Sequence, residues 1–258
     1  MHWVVQQNLI NPVTRDRILA LLQERGIGYT LARLVPVFDV LEEPIVVPDG
    51  RIFAYGSTGL GNVSKAMGWR PGYYDHQLDY ALMLERYGDL ALNAGATCCA
   101  LGELQRQPGA FFLRPTLDNK SFAGVVMESW EEFEEFRDSI ARIDDDPEAK
   151  LHLADIVVAA PLTEIAAEYR FFVIAGRVVT GSRYKQGDRV VSSAHVPPEV
   201  AEFAQSCVDL WAPNEAFALD IAVTPDGPRV IEINSANSAG FYACDIGYII
   251  DAVQANLP

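Results

Sequence analysis

The chain has 258 residues, 50% of them apolar, with 35 acidic against 20 basic side chains and a formal net charge of −15. That length buries a large core, as one domain or as two lobes. The acidic balance argues against nucleic acid or an anionic membrane as partner, because phosphate backbones are held by clustered Lys and Arg. Any anionic ligand must therefore be met by a local basic site. The N-terminus, MHWVVQQNLI, lacks a basic n-region, and no segment has the uninterrupted apolar length of a membrane span, so a soluble cytoplasmic protein is expected. Cys98, Cys99, Cys207 and Cys244 lie at spacings that match neither a zinc site nor a disulfide framework. They read as reduced thiols, with Cys98-Cys99 a small buried pair on a helix.

In chain order, Trp3 to Gln6 reads as a strand, and Thr14 as the cap of a helix carrying Ile18, Leu19 and Leu22 that Gly26 stops. Tyr29 to Val35, Ile45 to Val47 and Arg51 to Tyr55 read as further strands, a β-α-β opening that suits a small α/β lobe. The run Gly56-Ser57-Thr58-Gly59-Leu60-Gly61 invites a phosphate-loop reading. It lacks both a third glycine at Ser64 and a closing Gly-Lys-Ser/Thr, so a flexible turn is expected instead. An aromatic turn at Arg70 to Tyr74, a helix near His76 to Tyr87 and a strand at Leu90 to Asn93 follow.

Ala110 to Pro115 and Val125 to Met127 read as strands around the loop Thr116 to Gly124. Ser129 with Glu132 makes a capping box for a helix Trp130 to Ile143, and the acidic run Asp144 to Glu148 reads as a solvated loop. Leu153 to Ala160 is a strand closed by Pro161-Leu162. Tyr169 to Ile174 and Arg177 to Tyr184 form a hairpin through Ala175-Gly176. Pro198 opens a helix through Trp211, and Asp245 to Ala255 closes the chain as a helix with Ile246, Ile249, Ile250 and Val253 inward.

Phe217 to Tyr242, FALDIAVTPDGPRVIEINSANSAGFY, reads as a second hairpin turning at Thr224 to Pro228. With the turn near Asp226, Asp220 lies opposite Glu232, and Asn234 points the same way. Two readings fit this face. It is an acidic strand surface meeting water, or a set of hard oxygen ligands suited to Mg²⁺ with phosphates completing the shell. Arg114, Lys120, Arg170, Arg183 and Lys185 recur at strand ends and beside the hairpins. Each alone could be a surface ion pair; together they are placed where a polyanion would need them.

The ordered set FLRPTLDNKSFAG, IVVAAPL, EYRFFVIAGRVVTGSRY and FALDIAV…VIEINSANSAGFY resembles the motifs of the ATP-grasp superfamily. The likeness is nearest to a compact bacterial and phage subgroup with arginine in place of the first strand lysine. It implies an α/β (α+β) protein: a small α/β lobe over residues 1–95, then an ATP-grasp unit over 96–258 with a hinge near 160–162, its two antiparallel sheets clasping ATP and Mg²⁺. Under the resemblance Arg114 and Lys120 contact nucleotide phosphates, Lys185 belongs with them, the backbone from Ala160 to Leu162 holds adenine, and Glu168 meets the ribose. Arg170 and Arg183 face the γ-phosphate or acyl-phosphate, Asp220, Glu232 and Asn234 hold the metal, and Asn237, Ser238, Gly240 and Tyr242 border the acceptor. The family's usual lysine is Arg114 here, and the arginine many members carry two residues before the metal aspartate is Ala218.

The activity implied is a carboxylate–amine ligase that forms an amide or peptide bond and releases ADP and phosphate. Its partners are ATP and carboxylate and amine substrates, whether small molecule, peptide or protein, with no nucleic acid and no membrane. A kinase-like phosphotransferase on the same site and a non-catalytic nucleotide-binding module are the rival readings.

Overall fold

The computed structural model describes residues 1–9, 11–116, 122 and 124–258. In chain order the elements are β1 (His2–Gln6), α1 (Pro12–Glu24), β2 (Tyr29–Ala32), β3 (Arg51–Tyr55), α2 (Thr58–Ala66), β4 (Arg70–Gly72), α3 (Tyr80–Tyr87), β5 (Thr97–Ala100), β6 (Phe111–Pro115) and β7 (Val125–Met127). They continue with α4 (Trp130–Ala141), β8 (Ile156–Pro161), β9 (Ala167–Ile174), β10 (Arg177–Gln186), β11 (Arg189–Ser193), α5 (Pro198–Leu210), β12 (Ala216–Thr224), β13 (Gly227–Ser235) and α6 (Ile246–Asn256). The chain divides into two compact units. Unit 1 is Met1–Gln77, Ala167–Ile221 and Ile233–Pro258; unit 2 is Leu78–Ala166 and Ala222–Glu232.

Unit 1 opens with a sheet in the order β2-β1-β3-β4, in which each neighbouring pair is parallel. Val4 and Val5 of β1 are both fully buried because a parallel sheet is covered on both faces. Val4 joins Leu60 and Val63 of α2, while Val5 joins Ile18 and Leu22 of α1 and Ile249, Ile250 and Val253 of α6. The sequence signals for α1 and α6 are met by side-chain caps: Asn11 accepts from the Thr14 amide and Asp245 from the Tyr248 amide. The cap of α1 is therefore Asn11, three residues before the expected Thr14, because Pro12 supplies the first helical position.

The second sheet runs β11-β10-β9-β12-β13. β9 and β10 are joined by Ala175 and Gly176, both at positive φ (49° and 75°), the conformation that a tight hairpin demands. The register along this hairpin shifts twice, between Val178 and Thr180 and between Arg183 and Lys185. On β12, Ala216 and Ala218 face the same core as Phe172 and Ile174 of β9 and Phe241. Phe241 stacks on Phe172 and on Tyr55 at centroid distances of 5.1 and 5.2 Å.

Unit 2 holds a sheet in the order β5-β8-β6-β7, antiparallel throughout. Its core gathers Phe111 and Leu113 of β6, Val157 and Ala159 of β8, and Trp130 and Phe133 of α4. The Ser129 hydroxyl caps α4 as its spacing predicts, accepting from the Glu132 amide at 3.2 Å. The Glu132 carboxylate reaches back one residue further than a capping box requires and accepts from the Glu128 amide at 2.7 Å.

Several expected elements differ. Cys98-Cys99 lies on β5, with Cys98 exposed, and not on a helix. In place of a strand over residues 90–93, Leu90 ends a 3-10 turn (Gly88–Leu90) that starts at Gly88 with positive φ, and Ala91 makes an isolated bridge to Val230. Ile45 to Val47 forms no strand, and β11 is a strand beyond those expected.

The run Gly56 to Gly61 is not a flexible turn but the start of α2. Its glycines are explained by neighbours: a Cβ on Gly59 would lie 2.6 Å from the Asp39 carboxylate, and one on Gly61 would lie 2.9 Å from the Tyr73 ring. Helix propensity alone gives Gly61→Ala a gain of about 1 kcal/mol, whereas overpacking a fixed aromatic neighbour costs about 1–3 kcal/mol. Gly61→Ala is therefore expected to lower the urea midpoint at unchanged m-value; a raised midpoint would show that the Tyr73 ring yields freely.

Candidate functional site

In unit 1 the site is built on one ion pair. Arg170 of β9 is 8% exposed and Asp220 of β12 is 1% exposed. A buried guanidinium needs a buried anion with matched geometry, and Asp220 supplies it. Arg170 Nε donates to Asp220 Oδ1 at 2.8 Å and Nη2 donates to Oδ2 at 2.6 Å, a fork-to-fork pair. The third arm of the guanidinium, Nη1, donates to the Gly240 carbonyl at 3.3 Å. Asn234 Nδ2 lies 3.5 Å from Asp220 Oδ2, so Asp220 and Asn234 share a face as the alternation of the hairpin predicts. Burial by itself pushes the Arg170 pKa down, but the hydrogen bonds and charge of Asp220 outweigh it and hold Arg170 above its ordinary value. Arg170 is a fixed cation.

Aromatic rings flank this pair. The Arg170 guanidinium sits 5.1 Å from the Tyr242 ring centre and 5.8 Å from that of Tyr184, and the two rings stack at 4.7 Å with 14° between their planes. Tyr242 holds positive φ (50°) and remains 48% exposed. The Tyr184 hydroxyl donates to Glu168 Oε2 at 2.7 Å, while Lys185 Nζ donates to Glu168 Oε1 at 2.8 Å. Burial, reinforced by nearby carboxylates, raises the Tyr184 pKa strongly and keeps it a neutral donor. Cys244 Sγ lies 3.2 Å from the Ser182 hydroxyl beneath Arg170, and burial pushes its thiol up to about 11, which leaves it unreactive.

The loop after β13 is fastened by its own polar groups. Asn237 is 0% exposed: its Nδ2 donates to the Ala54 and Gly72 carbonyls at 2.6 and 3.2 Å, and its Oδ1 accepts from the Tyr74 amide at 2.9 Å. Its amide is thus spent on holding the loop against β3 and β4. Ser238 and Gly240 are exposed on the same loop.

The cross-strand register separates the two arginines expected to act together. Ser182 pairs with Arg170 and Arg183 pairs with Tyr169, so Arg183 lies on the face of the sheet opposite Arg170. The Arg183 Nε is buried without an acceptor among the described residues. Ala218 is fully buried in the core with Phe241, where a guanidinium would have no room.

In unit 2, Arg114 of β6 donates from Nη1 to Glu232 Oε2 at 3.0 Å, and its guanidinium lies 3.9 Å from the centre of the Tyr80 ring. Asn93 Nδ2 donates to the Tyr80 hydroxyl at 2.8 Å and sets that ring. Burial raises the Tyr80 pKa. Ala160 is buried opposite Phe112, and Leu162 is exposed just beyond the end of β8. Lys120 lies outside the described residues.

Tyr184 and Tyr80, which orient the two arginines, are not singled out by the sequence. Tyr184 follows Arg183 directly in GSRYKQ, and only a register count that includes the bulges brings it to the Arg170 face. Tyr80 carries no local signal beyond its place at a helix start.

Among the described residues no group of three or more His, Cys, Asp or Glu side chains gathers in one place. Mg²⁺ is ordinarily held by one or two carboxylates with phosphate oxygens and water. The hard oxygen donors of Asp220 and Asn234 in unit 1 suit that demand chemically, as does the Glu232 carboxylate in unit 2. Among the described residues, no helix is long and apolar enough to cross a membrane.

Comparison with known proteins agrees with this architecture. No curated protein matches the chain in sequence. Among solved structures, a RimK domain protein ATP-grasp from Sphaerobacter thermophilus DSM 20745 has a TM-score of 0.63 at 13% identity, covering 92% of this chain and 92% of its own. D-alanine–D-alanine ligase from Bacillus anthracis has a TM-score of 0.63 at 12% identity, covering 99% of this chain and 93% of its own. The ATP-grasp ligase PsnB, in complex with precursor peptide PsnA2 and AMPPNP, has a TM-score of 0.57 at 16% identity, covering 98% of this chain and 96% of its own. These likenesses establish an ATP-grasp fold of mixed α/β class with antiparallel sheets and a small parallel N-terminal sheet. Residues 44–253, most of the chain, match the model of an ATP-grasp domain family, family 3 of its clade, and this protein belongs to it.

Proposed function

We propose that the protein is an ATP-dependent carboxylate–amine ligase that forms an amide or peptide bond and releases ADP and phosphate. The observation that carries this reading is the buried fork between Arg170 and Asp220, with Asn234 on the same face. A fixed cation and a metal-competent carboxylate are thereby preset side by side, the two charges that phosphoryl transfer requires. The neighbours favour ligation over the rival readings: D-alanine–D-alanine ligase is named for joining two amino acids, and PsnB is an ATP-grasp ligase solved with its precursor peptide.

In this reading Asp220, Glu232 and Asn234 would hold Mg²⁺, which when bound offsets the charge of the phosphate oxygens. Arg114 and Lys120 would contact phosphates, the backbone from Ala160 to Leu162 would hold adenine, and Glu168, with Lys185 on its other oxygen, would meet the ribose. The substrate carboxylate oxygen attacks the γ-phosphorus, the bond to the β,γ-bridging oxygen breaks, and ADP leaves. The amine nitrogen then attacks the acyl carbon, loses a proton, and the C–O bond to phosphate breaks, releasing inorganic phosphate. Arg170 stabilises the charge on the transferring group through a fork already oriented by Tyr184 and Tyr242. That role falls to Arg170 rather than Arg183, because Arg183 occupies the other face of the sheet. Ser238, Gly240 and Tyr242 would border the acceptor, on a loop that Asn237 holds in place.

Two outcomes test the reading. With MgATP and pools of carboxylates and amines, turnover is expected to give ADP and phosphate in step with new amide mass; pyrophosphate and AMP as stoichiometric products would refute it. Arg170→Lys keeps the charge and loses the fork, so kcat is expected to fall about 100-fold, the cost of one lost transition-state donor pair. Arg183→Lys should leave kcat close to that of the wild type, since it removes no contact made in the transition state, and a loss equal to that of Arg170→Lys would restore Arg183 to the phosphoryl site.

A further inference from the structure

Asp220 of β12 and Glu232 of β13 each already have an arginine on them. Both oxygens of Asp220 accept from Arg170, and Glu232 Oε2 accepts from Arg114. The two pairs lie in different units, and each is an independent observation of a guanidinium on a hairpin carboxylate. Each guanidinium is also fixed from behind, Arg170 by the Gly240 carbonyl and the Tyr184–Tyr242 stack and Arg114 by the Tyr80 ring.

The geometry points to these arginines as stand-ins for the metal, an inference that rests on the MgATP reading above. A bare divalent cation meets a carboxylate that already accepts from a guanidinium and whose charge is already balanced, beside a cation that repels it. Free Mg²⁺ is therefore held off. A nucleotide changes the balance, because its phosphates offer each guanidinium an alternative anion of higher charge and so release the carboxylate to the metal. Metal and nucleotide enter together, and neither arginine has to be supplied from elsewhere when the phosphoryl group is transferred. The burial of Asp220 strengthens the effect, since charges interact more strongly away from bulk water.

The test is a direct titration of Mn²⁺ alone, followed by electron paramagnetic resonance of the free ion, on the wild type and on Arg170→Met, Arg114→Met and Arg170→Lys. The wild type and Arg170→Lys are expected to bind Mn²⁺ weakly without nucleotide, and Arg170→Met and Arg114→Met at least about tenfold more tightly, because a hairpin carboxylate loses its cation. Thermal melts with Mg²⁺ alone should show the same order. The Arg114–Glu232 pair is partly solvated, so Arg114→Met carries the test even where Arg170→Met fails to fold. Wild type binding Mn²⁺ alone as tightly as the methionine variants would overturn the inference, as would methionine variants that gain nothing. A parallel arm with AMPPNP and Mn²⁺ separates this failure from that of the underlying reading: a wild type that ignores nucleotide and metal together removes both, whereas one that binds the pair but also binds free metal removes the inference alone.

Discussion

The fork between Arg170 and Asp220 is the constraint on which the rest of unit 1 depends. Breaking one side of a buried ion pair costs about 3–5 kcal/mol, because the other charge is stranded, so both residues are fixed once β9 and β12 lie side by side. The strand face that carries them is polar at one end and apolar at the other: Phe172 and Ile174 of β9 and Ala216 and Ala218 of β12 continue it into the core beneath α6. The pair is thus anchored by a packed core and surrounded at its open end by groups that serve it. Gly240 contributes a carbonyl, Tyr184 and Tyr242 a stacked wall, and Asn234 a second polar group on Asp220.

A buried ion pair seldom adds net stability over an apolar pair of similar volume. Its persistence here is therefore better understood through the chemistry it presets. Under the proposed function, an arginine backed by the Gly240 carbonyl and the Tyr184–Tyr242 wall stands ready beside the carboxylate proposed for the metal, and preorganised charge of this kind is usually the largest contribution to catalysis. Ala218 lies in the core with Phe241, and the cation nearest this face is one strand away at Arg170.

Much of this was legible in the amino-acid sequence. Alternation in Phe217 to Asn234 set the hairpin and put Asp220 and Asn234 on one face, and Arg170 stood among the basic residues that recur beside the hairpins, where a polyanion would need them. What the alternation could not supply was the register of β9 against β10. Counting back from the Ala175-Gly176 turn without irregularity puts Gly181 opposite Arg170 and leaves Arg183 on its face. The bulge between Val178 and Thr180 moves Thr180 to Arg183 by one, which brings Ser182 opposite Arg170 and turns Arg183 away, and the second irregularity, between Arg183 and Lys185, takes in Tyr184. The glycines of Gly56 to Gly61 were misleading for a related reason. Their purpose is to admit Asp39 and Tyr73, side chains distant in sequence, and no local pattern reports such a contact.

The most direct measurement of the central claim is the anomalous scattering of Mn²⁺ in crystals grown with AMPPNP. The account predicts a manganese peak bonded to an Asp220 oxygen, with the Arg170 guanidinium drawn off that carboxylate onto the phosphates. A manganese peak elsewhere, or nucleotide bound while Arg170 still holds both oxygens of Asp220, would contradict it.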